Sequence, residues 1–206
     1  MKKKNISFYF LLLTLTVFAG CSSTVSFFYG IKKPQFLDEN QILYYAKKLN
    51  LPNEDIFQID TAYFNFIVST DSIKHKESHK NHYQPLQVLY YGQAGQLVSF
   101  HVNCYAGGFP NLKWNREGSF DIFPPKTQAP VDSILPLKKL LGFLKPLASS
   151  QKIHTEQYDY FVFVFWNRFM KRQSKRLIRT VQQNCRMKKN KTIRTIYVND
   201  DNLFAE

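Results

Sequence analysis

Acidic residues are scarce in this chain. Asp and Glu number 15 against 28 Lys and Arg, which leaves a formal net charge of +13 and a pI near 9.6 in 206 residues. Cysteine is scarce too, at three, and no CxxC pair or Cys/His zinc spacing occurs. Dithiol redox chemistry and cysteine-based metal binding therefore have no motif to stand on. GxSxG, P-loop, HExxH and GxGxxG are all missing, so the local signatures of serine hydrolases, nucleotide binders and zinc proteases are absent. No apolar run reaches the roughly 20 residues of a membrane span. What is present describes a folding chain: 44% apolar residues, 19 Phe and 12 Tyr. That composition excludes a disordered polyelectrolyte and gives a core dominated by large rings. The length fits one domain with an appendage.

The appendage is N-terminal. Lys2, Lys3 and Lys4 precede an apolar run from Ile6 to Phe18, followed by Ala19 and Gly20. A positive start, a short apolar segment and a small-residue exit form a secretory pattern. Phe18-Ala19-Gly20-Cys21 resembles the lipobox of bacterial lipoproteins, with Phe18 where that family usually has Leu. The resemblance implies diacylglycerol on the Cys21 sulfur, cleavage before Cys21, and often a further acyl chain on the new amine. It divides the chain into a signal peptide at 1–20, a lipid-anchored tether at 21–37 and a single domain at 38–206. It also implies an exported protein held on the cell membrane or the outer membrane.

Along the domain, Asp38 is a suitable N-cap, and Ile42, Leu43, Ala46 and Leu49 have helical spacing. Residues 54–72 fit either a strand plus a helix or two strands. Residues 71–85 are polar and read as a loop. Gln87–Tyr91 and Leu97–Cys104, joined by a glycine-containing link, predict a hairpin. A short strand is expected around Phe120–Phe123. A helix is expected over Leu137, Leu140, Leu141 and Leu144, ended by Pro146. Tyr158–Trp166 is a continuous apolar, β-prone run, as in a strand buried on both faces. In Met170–Met187, Met170, Leu177, Ile178, Val181 and Cys185 fall within an arc about 100° wide on a helical wheel. Ile193–Val198 predicts another strand, so the C-terminal part reads as a parallel strand–helix–strand unit. The fold class is α+β or α/β, a mixed sheet with a central hairpin.

Phe165-Trp166 at the end of a hydrophobic strand, and Val198-Asn199-Asp200 at the end of the next, resemble the thioredoxin superfamily over Tyr158–Asn202. The resemblance implies a thioredoxin-like domain, in permuted order because the chain ends where that family continues. An unrelated α+β domain is the alternative. Met170 and Gln173 stand where the family carries its two cysteines, so its redox activity does not transfer.

Four groups of residues are candidate sites. With Cys21 acylated, Cys104 and Cys185 form an even pair in an oxidising compartment, either as a disulfide or as two buried thiols. His75, His79 and His82 have a spacing that suits a metal, but the interleaved Lys74, Lys76 and Lys80 repel a cation, so no metal and no cofactor is expected. His101 alternates within a strand as a packed or surface side chain rather than a base. Residues 168–194 carry eleven Lys and Arg and no acid. Lys171, Arg172, Lys175, Arg176, Arg179 and Arg186 lie opposite the apolar arc and form either a solvated face or an anion-binding one. For an exported protein the anion is not nucleic acid; lipid phosphates, other anionic envelope polymers or an acidic protein suit the compartment. The expected function is a non-catalytic envelope binding or assembly role. A redox-inactive thioredoxin-like domain, or an enzyme without a recognisable motif, is the alternative.

Overall fold

A computed structural model gives the structure of the protein and describes residues 30–70, 76–104, 113–148 and 153–205. Cys21 and His75 lie outside these. The first element is helix α1, Glu39–Lys48. Its capping box is closed at both ends: Asp38 Oδ1 accepts from the Gln41 N–H and Gln41 Oε1 accepts from the Asp38 N–H. Strand β1, Ile56–Ile59, and helix α2, Ala62–Ser69, follow. The ambiguity over 54–72 thus resolves as strand plus helix. Helix α3 spans Lys76–His82, strand β2 Gln87–Gly92 and strand β3 Leu97–Val102. The hairpin turn rests on Gly95, whose φ of 79° suits glycine. Then come helix α4, Leu137–Leu141, strand β4, Leu144–Pro146, strand β5, Tyr160–Trp166, helix α5, Lys171–Arg186, and strand β6, Ile193–Asn199.

The strands form one mixed sheet in the order β3-β2-β5-β6-β1-β4. β5, β6 and β1 run parallel, while β2, β3 and β4 are antiparallel to their neighbours. Strand β5 is central, and its side chains divide between two cores. Val162, Val164 and Trp166 meet Ile42 and Ala46 of α1 and Leu177, Ile178 and Val181 of α5. Phe161, Phe163 and Phe165 meet Tyr63 and Ile67 of α2 and Leu137 and Leu140 of α4. A strand covered on both sides needs no polar alternation, which is why its sequence is unbroken and apolar.

Three expectations are corrected. The polar stretch 71–85 contains helix α3, because its polar side chains are themselves buried: His79, Asn81 and His82 are all inaccessible. The leucine-rich helix is shorter than its spacing suggests. The Gly142 N–H bonds back to Lys139, and Leu144 pairs with Ile59 on β1 instead of extending the helix. That edge strand ends in Lys145 and Pro146, which discourage further strand pairing. Phe120–Phe123 forms turns rather than a strand, because its carbonyls bond to a side chain of α5 and Phe120 and Phe123 insert into the first core.

Candidate functional site

Helix α5 divides by chemistry. Gln173, Ser174, Leu177, Ile178, Val181 and Asn184 are buried, whereas Lys171, Arg172, Lys175, Arg176, Arg179 and Arg186 are all exposed. The expected basic face is therefore present on the outside of the molecule. Ion pairs elsewhere join Lys145 to Glu39, Lys191 to Asp159, Arg194 to Asp55 and His82 to Asp132. Among the described residues, Lys171, Arg172, Lys175, Arg179 and Arg186 enter no such pair. Residues 168–194 contain no carboxylate, so any partner must come from elsewhere in the chain, as Asp159 and Asp55 do for Lys191 and Arg194.

A neighbouring helix widens the face. Tyr44, Lys47 and Lys48 of α1 are exposed. The Lys48 ammonium lies 4.2 Å from the centre of the Tyr44 ring. Hydrogen bonding and charge from Lys48, with the charge of Lys171, lower the pKa of the Tyr44 hydroxyl. Both helices cover the same side of the sheet, so their exposed cations lie on one side of the molecule. The sequence shows the Tyr44 and Lys48 spacing of one helical turn, but nothing in it places α1 beside α5.

The N-terminal segment enters the domain at the same place. Gly30, at a φ of 65°, lies so close to α5 that a Cβ there would fall 2.9 Å from Arg172 Cδ. The Lys32 N–H donates to the Phe169 carbonyl at 2.8 Å, and Arg168 Nη2 donates to the Lys33 carbonyl at 3.1 Å. Asn202 then holds Leu37 at both backbone atoms, accepting from its N–H and donating to its carbonyl.

Beneath this segment lies a buried polar network at the ends of β5 and β6. Asn167 Oδ1 accepts from the Met170 N–H, and Asn167 Nδ2 donates to Asp200 Oδ1. Asp201 Oδ2 accepts from the Arg168 N–H and from Asn199 Nδ2. Burial raises the pKa of both Asp200 and Asp201. Met170 precedes α5 and Gln173 lies in its first turn, both buried. They pack into this corner, and neither side chain forms a thiolate.

A cleft of about 510 Å³ opens beyond the network, at the carboxyl ends of β1 and β6, between Phe36, Asp38, Asp60, Thr61, Lys145 and Asn202. Open α/β sheets commonly hold ligands at this edge. Here the carboxylates serve the fold. Asp38 caps α1, Asp60 Oδ1 accepts from the Ala62 N–H, and Glu39 pairs with Lys145 at 2.6 Å.

The cysteine and histidine candidates separate. Cys104 and Cys185 are not joined to each other, in keeping with the second of the two alternatives that the pair left open. Cys185 accepts from Thr195 Oγ1, and Thr195 is level, through Val162 and Tyr90, with Ser99. Cys104 lies five residues beyond Ser99, roughly 16 Å along the sheet, whereas a disulfide needs Cα atoms within about 7 Å. Burial pushes the Cys185 thiol up to about 11, which keeps it protonated. His79 pairs with Thr70, while His82 faces Asp132 at 3.2 Å and stacks on Phe100. The two imidazoles thus have separate partners, and no cluster of three ligating side chains occurs among the described residues. His101 packs against Phe120, as its place in a strand implied.

No family model, curated protein or solved structure matches the chain.

Proposed function

We propose that the chain is an exported lipoprotein, held on the cell membrane or outer membrane by lipid on Cys21, with a non-catalytic binding or assembly role in the envelope. Its basic α5 face meets an anionic partner. The observation that carries this reading is the exposed cationic face beside Gly30, the first described residue of the tether segment. Five cations there are not spent on internal ion pairs, and a surface with unspent charge of one sign attracts the other. The leader and lipobox supply the anchor. Each buried methylene adds about 0.8 kcal/mol of membrane affinity, and stable anchoring takes two signals, which two acyl chains provide.

The anchor is tested in cells fed a radiolabelled fatty acid. The natural chain takes up the label. Cys21→Ala loses it and accumulates as unprocessed precursor. Continued labelling of the variant removes Cys21 as the attachment site. Crosslinking in intact cells, followed by identification of adducts, tests for the anionic partner.

A redox-inactive thioredoxin-like domain is the second reading. The parallel β5–α5–β6 unit favours it, with Met170 and Gln173 at the start of its helix.

A further inference from the structure

The anionic partner is specified by where the cations sit relative to the tether. Cys21 and Gly30 are nine residues apart. Whatever path residues 22–29 take, nine residues span at most about 32 Å. A domain of this size is about 40 Å across. An anchor at Cys21 therefore keeps the entry point within a domain diameter of the bilayer. The surface surrounding that point is the surface most often presented to the lipid.

That surface is cationic and carries an aromatic ring. Arg172 touches Gly30. Lys171 and Lys175 lie on the same exposed side of α5, and Lys48 covers the ring of Tyr44 on α1. Tyr44 is 52% exposed, with its ring edge-on to Tyr45 at 5.4 Å. An amphipathic tyrosine among lysines suits the headgroup layer, where ring and hydroxyl meet different solvents. The opposite layer differs. Its α2 leaves Val68 60% exposed, and its cations include Lys138 and Lys139 of α4, the second lying 4.6 Å from the centre of the Phe66 ring of α2.

We propose that the α1–α5 face, formed by Tyr44, Lys48, Lys171, Arg172 and Lys175, docks on the phosphate layer of the same membrane that holds the lipid on Cys21. The domain then lies with its long helix toward the bilayer and α2 turned away from it. This inference rests on the reading of Cys21 as the lipid anchor. Each basic residue near an anionic surface multiplies the ratio of docked to undocked protein about fivefold. The attraction extends over a Debye length of about 8 Å at physiological salt. A short tether makes the encounter intramolecular, so weak contacts suffice to hold the orientation.

The experiment uses full-length lipidated protein reconstituted in vesicles of phosphatidylethanolamine and phosphatidylglycerol. A photoactivatable benzophenone side chain replaces residue 44 in one preparation and residue 68 in another. Docking gives phospholipid adducts at position 44 in about fivefold excess over position 68 or more. The excess falls in neutral phosphatidylcholine vesicles, and it falls when Lys171→Glu and Arg172→Glu are combined. All these positions are exposed, so the core is untouched. Equal yields at 44 and 68, a protein adduct in place of lipid at 44, or an excess indifferent to charge reversal overturns the docking. Each preparation also carries radiolabelled fatty acid. Labelled protein without the excess loses the docked orientation but keeps the anchor. Unlabelled protein loses the anchor and the docking with it.

Discussion

His101 shows how burial sets the chemistry of one residue. It lies on β3 against Phe120, and its Nε2 has no partner. Desolvation lowers its pKa from 6.5 to about 4. The folded protein therefore holds His101 neutral at a pH where the unfolded chain protonates it. Its contribution is complete above pH 6.5 and is lost as pH falls from 6.5 through 4. The shift corresponds to about 3 kcal/mol. His101→Gln should flatten this loss, so that stability measured by urea denaturation at pH 7 and pH 4.5 differs less than in the natural chain. An unchanged difference would assign the acid sensitivity to other groups. Asp200 works in the opposite direction. Its raised pKa costs stability as pH rises, and the Asn167 amide offsets part of that cost by donating to it. Neither effect is legible in the sequence, where a histidine in a strand and an aspartate after one look ordinary. The shift depends on what covers the side chain.

Among the elements, α5 was the most legible. Its apolar arc and basic face both follow from a period of 3.6 residues, and the structure keeps them apart as the wheel does. Its polar anchor was not legible. Asn184 lies on the buried side, where it accepts from the Tyr90 hydroxyl and donates to the carbonyls of Phe120 and Ile122. One amide thus ties helix, sheet and the 113–123 loop together. Asn184→Ala strands these three groups in the interior, and unmet buried hydrogen bonds cost about 1–3 kcal/mol each. We expect a loss of about 2–4 kcal/mol in urea denaturation, with faster hydrogen exchange confined to the 113–123 loop at low denaturant. A loss below about 0.5 kcal/mol, the scale of a neutral surface change, would contradict the role. Helix α3 shows the converse. Its sequence, KESHKNH, has no apolar stripe, and only the partners of its histidines make it a packed helix. β4 was missed for a related reason: Leu144 continues a leucine spacing, but the open edge of β1 claims it.

For the whole molecule, β5 decides how the layers cooperate. Phe163 is fully buried on the α2 side, between Val162 and Val164 on the α5 side. Both layers share this one strand, so neither unfolds without exposing the other. Phe163→Ala should cost about 3–5 kcal/mol. Tryptophan fluorescence, which comes from Trp114 and Trp166 in the core on the opposite face, should follow the same transition as far-ultraviolet circular dichroism. Two separated transitions would mean that the layers are independent. Charge is also a property of the whole. Lys2, Lys3 and Lys4 cluster at the N-terminus and eleven cations lie within 168–194, so the high pI describes two local clusters and not an evenly basic chain. The structure sets α1 on the same side of the sheet as α5, and it places Arg172 of α5 beside Gly30.

The sequence by itself determined the elements whose information is local. These are the buried strand β5, the amphipathic helix α5, the hairpin of β2 and β3, and the mixed α+β class. Each rests on periodicity or on adjacent residues, which need no knowledge of distant parts of the chain. Only the tertiary structure decided the separation of Cys104 from Cys185, the burial of His79 and His82, the shift at His101, and the placing of α1 and α5 on one side of the sheet. Those outcomes depend on strand order and register, which bring residues more than a hundred positions apart into contact or hold them at opposite ends of the sheet.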